Sequence, residues 1–126
     1  MAGENILIIE DNPSNLKFEE AVLTSLGYTV RTARDAKIAL DVLVEFQPRL
    51  IIMDIQLPGM SGLELTRKLK TNPKYQNVII IAVTAYAMLG DKDKILEAGC
   101  DAYVTKPLDI DTFPNMLEGL ISEQNG

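Results

Sequence analysis

Three short runs along the chain are almost wholly apolar: Ile6-Leu7-Ile8-Ile9, Leu50-Ile51-Ile52-Met53 and Val78-Ile79-Ile80-Ile81-Ala82-Val83. Their β-branched content and polar flanks mark them as strands rather than helix fragments. None of them alternates, so both faces are expected to be covered, as in a parallel sheet with helices on each side. Tyr28-Thr29-Val30-Arg31 and Ala102-Tyr103-Val104-Thr105 mix polar with apolar residues and read as outer strands. Between the strands lie helical periods. Phe18, Ala21, Val22 and Leu26 form a stripe widened by Leu16 and Leu23; Ala36, Ala39, Leu40, Leu43 and Val44 form another, and Phe113, Met116, Leu117, Leu120 and Ile121 a third. Gly62 to Lys70 is a shorter helix stopped before Asn72-Pro73, and Leu89 to Ala98 is the least apolar, with Gly99 as its C-terminal cap. Pro114 fits a first helical turn capped by Asp109 or Asp111, and Ser122 to Gly126 reads as a short tail.

The predicted order is βαβαβαβαβα, without an internal repeat, low-complexity tract or linker. Such alternation implies right-handed crossovers and a parallel sheet. With the apolar strands inside and the mixed ones at the edges, the expectation is an α/β, doubly wound (βα)5 fold of strand order 2-1-3-4-5. That is the flavodoxin-like arrangement.

Composition narrows the function. The 126 residues suit one domain, 1–126, and the 47% hydrophobic and 24% charged fractions are those of a globular chain. Twelve Lys and Arg against 18 Asp and Glu give a net charge of −6, which argues against nucleic acid as a partner. There is no histidine, so Ser-His-Asp and Cys-His catalysis and His-ligated zinc are excluded within this chain. The one cysteine, Cys100, cannot form an intrachain disulfide; it reads as a packed small apolar residue, with a reactive thiol as the alternative. The start, Met1-Ala2-Gly3-Glu4-Asn5, has no basic segment, and Ile6 to Ile9 is too short for a signal peptide or membrane span. A soluble, cytoplasmic protein with no membrane partner is expected.

In doubly wound sheets the site lies beyond the C-terminal strand ends. The first strand ends in Glu10-Asp11, the third in Asp54, the fourth in Thr84-Ala85 and the fifth in Thr105-Lys106-Pro107. Three carboxylates on one rim repel one another unless a cation is bound. Oxygen ligands without His or Cys suit a hard divalent ion, and a few carboxylates plus waters suit Mg²⁺. The alternative is that Glu10, Asp11 and Asp54 cap helices or solvate loops. A flavin carrier is disfavoured, because the loop Glu10-Asp11-Asn12-Pro13-Ser14-Asn15 is acidic and lacks glycine, so it would repel a phosphate.

These residues, in order and at the right strand ends, resemble the receiver domains of bacterial two-component response regulators over essentially the whole chain. The resemblance rests on Ile6 to Asn12, on Met53-Asp54-Ile55-Gln56-Leu57-Pro58-Gly59-Met60-Ser61-Gly62, on Val83-Thr84-Ala85 and on Lys106-Pro107. The Asp-Ile-Gln-Leu-Pro run and Ala85-Tyr86-Ala87-Met88 look most like stand-alone receivers of the DivK type.

The resemblance implies that Asp54 is the phosphoacceptor, taking a phosphoryl group from a phosphohistidine of a histidine kinase or phosphotransferase. Glu10, Asp11, Asp54 and the backbone carbonyl of Gln56 would hold Mg²⁺, and Lys106 would pair with a phosphoryl oxygen. The Lys106–Pro107 bond is cis in that family. Thr84 and Tyr103 would form the switch that remodels the face made by helix 4, strand 5 and helix 5, through which a downstream protein is met. Gln56 and Tyr86 would modulate the acyl-phosphate lifetime. The bland readings are an edge-strand tyrosine at 103, a β-branched strand end at 84 and a solvated charged fourth helix. The protein is then no enzyme beyond catalysing its own aspartyl phosphorylation and dephosphorylation, and is a monomer or a phosphorylation-dependent dimer. After Pro107 only one helix fits, so no output domain is expected. The competing readings are a receiver excised from a hybrid histidine kinase, an aspartate-nucleophile phosphatase and a flavin-binding carrier. The phosphatase is weakened because Asp54 is followed by Ile55-Gln56 rather than by a second acid two residues on.

Overall fold

The non-alternating apolar runs form the middle of a parallel sheet because each has a helical layer on both sides. The computed structural model describes residues 3–85 and 91–125. Its elements run β1 (Asn5–Ile9), α1 (Pro13–Ser25), β2 (Thr29–Ala33), α2 (Ala36–Glu45), β3 (Leu50–Asp54), α3 (Gly62–Lys70), β4 (Ile79–Thr84), α4 (Asp91–Ala98), β5 (Ala102–Thr105) and α5 (Phe113–Asn125). All neighbouring strands pair in parallel, in the order β2-β1-β3-β4-β5, as expected from the sequence.

Strand pleating divides the core into two layers. Leu7, Ile9, Ile51, Met53, Ile80 and Ala82 pack with Ala36, Ala39 and Leu43 of α2, Leu65 and Leu69 of α3 and Ile95 of α4. Ile6, Ile8, Leu50, Ile52, Ile79, Ile81 and Val83 pack on the other face with Leu23 of α1 and Phe113, Leu117 and Ile121 of α5. Each fully buried Leu or Ile contributes about 1.5–3 kcal/mol relative to exposure, so the two layers are the main source of stability. The mixed strands sit at the edges, where one side of the pairing is open.

Three sequence expectations are corrected. In α1 the buried positions are Glu19 and Leu23, while Ala21 and Leu26 are exposed and Phe18 is 40% exposed. Two apolar stripes run along that helix, and the one containing an acid packs on the sheet. In α2, Val44 is 74% exposed, whereas Ala36, Ala39 and Leu43 alone of its stripe are buried. Finally α5 continues to Asn125, through the stretch read as a tail. The expected beginning of α4 at Leu89 lies outside the described residues.

Local chemistry sets the helix starts that matter for the site. Asn12 caps α1 by accepting from Asn15 N at 3.0 Å, with Pro13 at the first helical position. Ser61 caps α3 by accepting from Glu64 N at 3.2 Å. Pro114 lies in the first turn of α5, as its missing N–H requires.

Candidate functional site

Strand order reverses between β1 and β3: the chain leaves β1 for β2 on one side and enters β3 on the other. Open α/β sheets leave a crevice at such a switch point. Glu10 follows β1, its N–H donating to Ala33 O at 3.0 Å, and Asp54 closes β3. Glu10 is 1% exposed and Asp54 2% exposed, whereas Asp11 is open to solvent. One carboxylate oxygen from each of Glu10, Asp11 and Asp54 lies within 4.8 Å of the others.

Lys106, just past β5, completes the cluster. Its Nζ donates to Asp54 Oδ2 at 3.0 Å and lies 2.8 Å from Glu10 Oε1. Its N–H donates to Thr84 O at 2.8 Å, so the end of β4 positions its backbone. The Lys106–Pro107 peptide bond is cis. Asp54 Oδ1 accepts from Gln56 N at 3.0 Å, and Glu10 Oε2 accepts from Asn12 N at 3.1 Å. Gln56 itself is exposed beside the acid. Thr84 is buried at the end of β4, level with Thr105 in the sheet register.

The charges shift one another. Burial holds the Asp54 carboxyl above its ordinary value, aided by Glu10 and opposed by the Gln56 amide and Lys106. Burial alone would lower the Lys106 ammonium, but its close contacts with the Glu10 and Asp54 carboxylates outweigh that and raise it. Lys106 is therefore a firm cation between two acids.

A metal fits this donor set. The oxygens are hard and anionic, and among the described residues Glu10 Oε1 is buried with no hydrogen bond, only the Lys106 ammonium 2.8 Å away as an ion pair. One cation among Glu10, Asp11 and Asp54 leaves a net negative charge that a divalent ion would neutralise.

Tyr103 lies on β5, the edge strand next to β4. It is half-buried and lines a cleft of about 590 Å³ with Thr105, Pro107, Asp109, Phe113 and Met116. Tyr86 lies outside the described residues. Glu19 is the residue the apolar pattern misses. It is 3% exposed on the inner face of α1, and burial, with the charges of Glu10 and Asp54, pushes its carboxyl up to about 8 against the pull of Lys106. The signal available in the sequence was an acid three residues after Leu16 and four before Leu23, on one helical face.

Comparison with known proteins agrees with this geometry. The family model described as response regulator receiver domain matches residues 6–118. The polar-differentiation response regulator DivK of Brucella anthropi is 38% identical over 120 residues, covering 95% of this chain and 98% of that protein. The receiver domain of a sensor histidine kinase from Pseudomonas aeruginosa, with a magnesium ion coordinated in its active-site cleft, is 36% identical. It superposes with a TM-score of 0.87, covering 96% of this chain and 99% of that one. A CheY-like receiver domain protein from Methanospirillum hungatei is 31% identical with a TM-score of 0.89, covering 98% of each chain.

Proposed function

This chain belongs to the response regulator receiver domain family, and from that premise we propose that Asp54 accepts a phosphoryl group from a phosphohistidine on a partner histidine kinase or phosphotransferase. The observation that carries this reading is the single carboxylate shared by two functions: Asp54 is within 4.8 Å of the Glu10 and Asp11 oxygens and accepts from Lys106 Nζ at 3.0 Å.

An Asp54 oxygen attacks phosphorus, the P–N bond to the donor imidazole breaks, and the electron pair leaves with the imidazole. Asp54 becomes an acyl phosphate, and water later returns inorganic phosphate. Since these 126 residues include no histidine, the phosphohistidine must lie outside them. Glu10, Asp11, Asp54 and the Gln56 carbonyl would hold Mg²⁺, which when bound offsets the charge on the transferring phosphoryl oxygens. Gln56 N and Lys106 Nζ fix the two Asp54 oxygens, so the carboxylate is oriented before the donor arrives. Lys106 then follows the added charge, since a phosphoryl group brings about −1.5 to −2 charges to a site where it already faces two acids. The catalysis is confined to the protein's own aspartate.

Thr84 and Tyr103 would carry the signal outward. A Thr84 hydroxyl drawn toward the phosphoryl group would open room for Tyr103, and the surface of α4, β5 and α5 would then differ between the two states. A partner can read that difference only through unequal affinity for them. No helix among the described residues is long and apolar enough to cross a membrane.

Incubation with a small acyl-phosphate donor and Mg²⁺, followed by intact mass, tests the reading. One phosphoryl group is expected, absent without the metal and absent in Asp54→Asn. Phosphorylation of Asp54→Asn to the wild-type extent would overturn the assignment.

A further inference from the structure

Helix α3 touches the phosphorylation loop at one end and the turn between α4 and β5 at the other. Gly62 N donates to Ile55 O at 2.9 Å, directly after Asp54. The approach is closer than any side chain would allow: a Cβ on Gly62 would overlap the Asp54 carbonyl oxygen and lie 2.8 Å from Ile55 Cα. The first residue of α3 thus rests on the main chain of the phosphoacceptor.

One turn on, Thr66 is fully buried. Its Oγ1 donates to Gly62 O at 2.8 Å and accepts from Cys100 Sγ at 3.8 Å. Burial pushes the Cys100 thiol up, the Thr66 bond opposing, so the thiol carries its proton near neutrality and has a hydrogen to donate. This buried hydroxyl backs onto the first carbonyl of its own helix and accepts from the α4–β5 turn, so it stands between the Gly62 contact and Cys100.

The far end of that link is fixed independently. Asp101 N donates to Ile80 O and Asp101 Oδ2 accepts from Ile80 N, both at 2.8 Å. Lys70, at the end of α3, donates to Val78 O at 2.7 Å and lies 3.5 Å from Asp101 Oδ2. Gly99 has φ +112 and meets Lys70 so closely that a Cβ would sit 2.9 Å from Lys70 Cγ. The turn therefore cannot absorb a displacement of α3 by sliding freely. A rigid nine-residue helix spans the two sites.

We propose that Thr66 is a coupling residue outside the phosphorylation site, its hydroxyl linking the Asp54 loop to the α4–β5 turn through Gly62 and Cys100. The inference rests on Asp54 being the phosphoacceptor. It adds a route to the base of α4 that does not pass through Thr84 or Tyr103. By linkage, a turn that responds to Asp54 also acts back on it.

Cys100 is the sole cysteine, so its rate of reaction with a disulfide reagent reads the opening of this turn alone. Labelling is followed in the folded protein with Mg²⁺, with and without a small acyl-phosphate donor, in wild type, Thr66→Ser and Thr66→Val; intact mass in parallel records phosphorylation. Wild type and Thr66→Ser, which keeps the hydroxyl, should change labelling rate on phosphorylation by about two- to thirtyfold, the range of couplings measured along such networks. Thr66→Val should be phosphorylated to the same extent yet show no change. An equal change in Thr66→Val, or none in a wild type that mass shows to be phosphorylated, overturns the coupling. Absence of the added mass would instead sink the phosphoacceptor reading. Should Thr66→Val not fold, the Gly99 amide resonance in Cys100→Ala and Cys100→Ser gives the same decision: a phosphorylation-dependent shift kept in the serine variant and lost in the alanine variant is expected, and its survival in both overturns the proposal.

Discussion

Lys106 Nζ reaches over the end of β4 to donate to Asp54 Oδ2 at 3.0 Å, joining the end of β5 to the end of β3. The same ammonium lies 2.8 Å from Glu10 Oε1, so one cation serves two buried acids. Both acids share that one ammonium as a close counter-charge, and the dependence can be measured.

Lys106→Ala leaves Glu10 and Asp54 facing each other with no counter-ion. Removing one partner of a buried pair costs about 3–5 kcal/mol, and a loss of that order is expected in urea unfolding at pH 7 without divalent metal. Added Mg²⁺ should restore part of it, because Glu10, Asp11 and Asp54 remain. Phosphorylation-dependent change elsewhere in the molecule should be lost. A variant as stable as wild type in metal-free buffer would mean that Lys106 is not the counter-ion.

Asp11 separates metal binding from folding. It is exposed, and Asp11→Asn, which removes one of three mutually repelling carboxylates, should keep or raise metal-free stability. Wild type should gain about 2.7 kcal/mol when Mg²⁺ is one hundred times its dissociation constant. In the variant that gain should shrink or vanish at the same metal concentration. Thermal unfolding with and without Mg²⁺ reads both effects, and an undiminished gain would remove Asp11 from the ligand set.

Much of this was legible before any coordinates. Ile6 to Ile9, Leu50 to Met53 and Val78 to Val83 do not alternate, and that one property places them inside a two-sided sheet, from which the strand order and the strand-end acids follow. What escaped has a physical reason. A periodicity search counts apolar residues and so passes over Glu19, a buried acid held neutral by its surroundings, in favour of Phe18 on the outer side of α1. Val44 fits a helical spacing yet faces solvent, because period says which residues share a face and not how wide the covered strip is. Thr66 and Cys100 meet only in three dimensions, 34 residues apart.

Glu19 makes stability fall as pH rises. Its carboxyl holds its proton up to about 8 in the folded protein against an ordinary value of 4.5. The folded state then binds more protons than the unfolded state between those values, and in that window stability decreases with pH. The contribution is complete below the unfolded value and gone once pH has passed the folded one. Asp54, also raised, acts in the same direction. Glu19→Gln, which keeps the shape and cannot ionise, should show a flatter profile and its largest advantage over wild type near pH 9. Urea unfolding in metal-free buffer at several pH values checks this; parallel profiles would assign the slope to other groups.

Gly62 tests whether the phosphoacceptor depends on how α3 is seated. The atoms a new methyl group would strike are the Asp54 carbonyl oxygen and Ile55 Cα, both main chain, so no side chain can turn aside to make room. Overpacking of this kind costs about 1–3 kcal/mol, offset only slightly by the better helix propensity of alanine at a helix start. Relief must come from moving α3 or the Asp54 loop, and either motion alters the Gln56 N–H and Lys106 bonds that orient the Asp54 carboxylate. Gly62→Ala should therefore fold with reduced stability in urea and accept phosphoryl groups more slowly than its folded fraction explains. Slowing that simply tracks the unfolded fraction would show that α3 supports the fold without aiming Asp54.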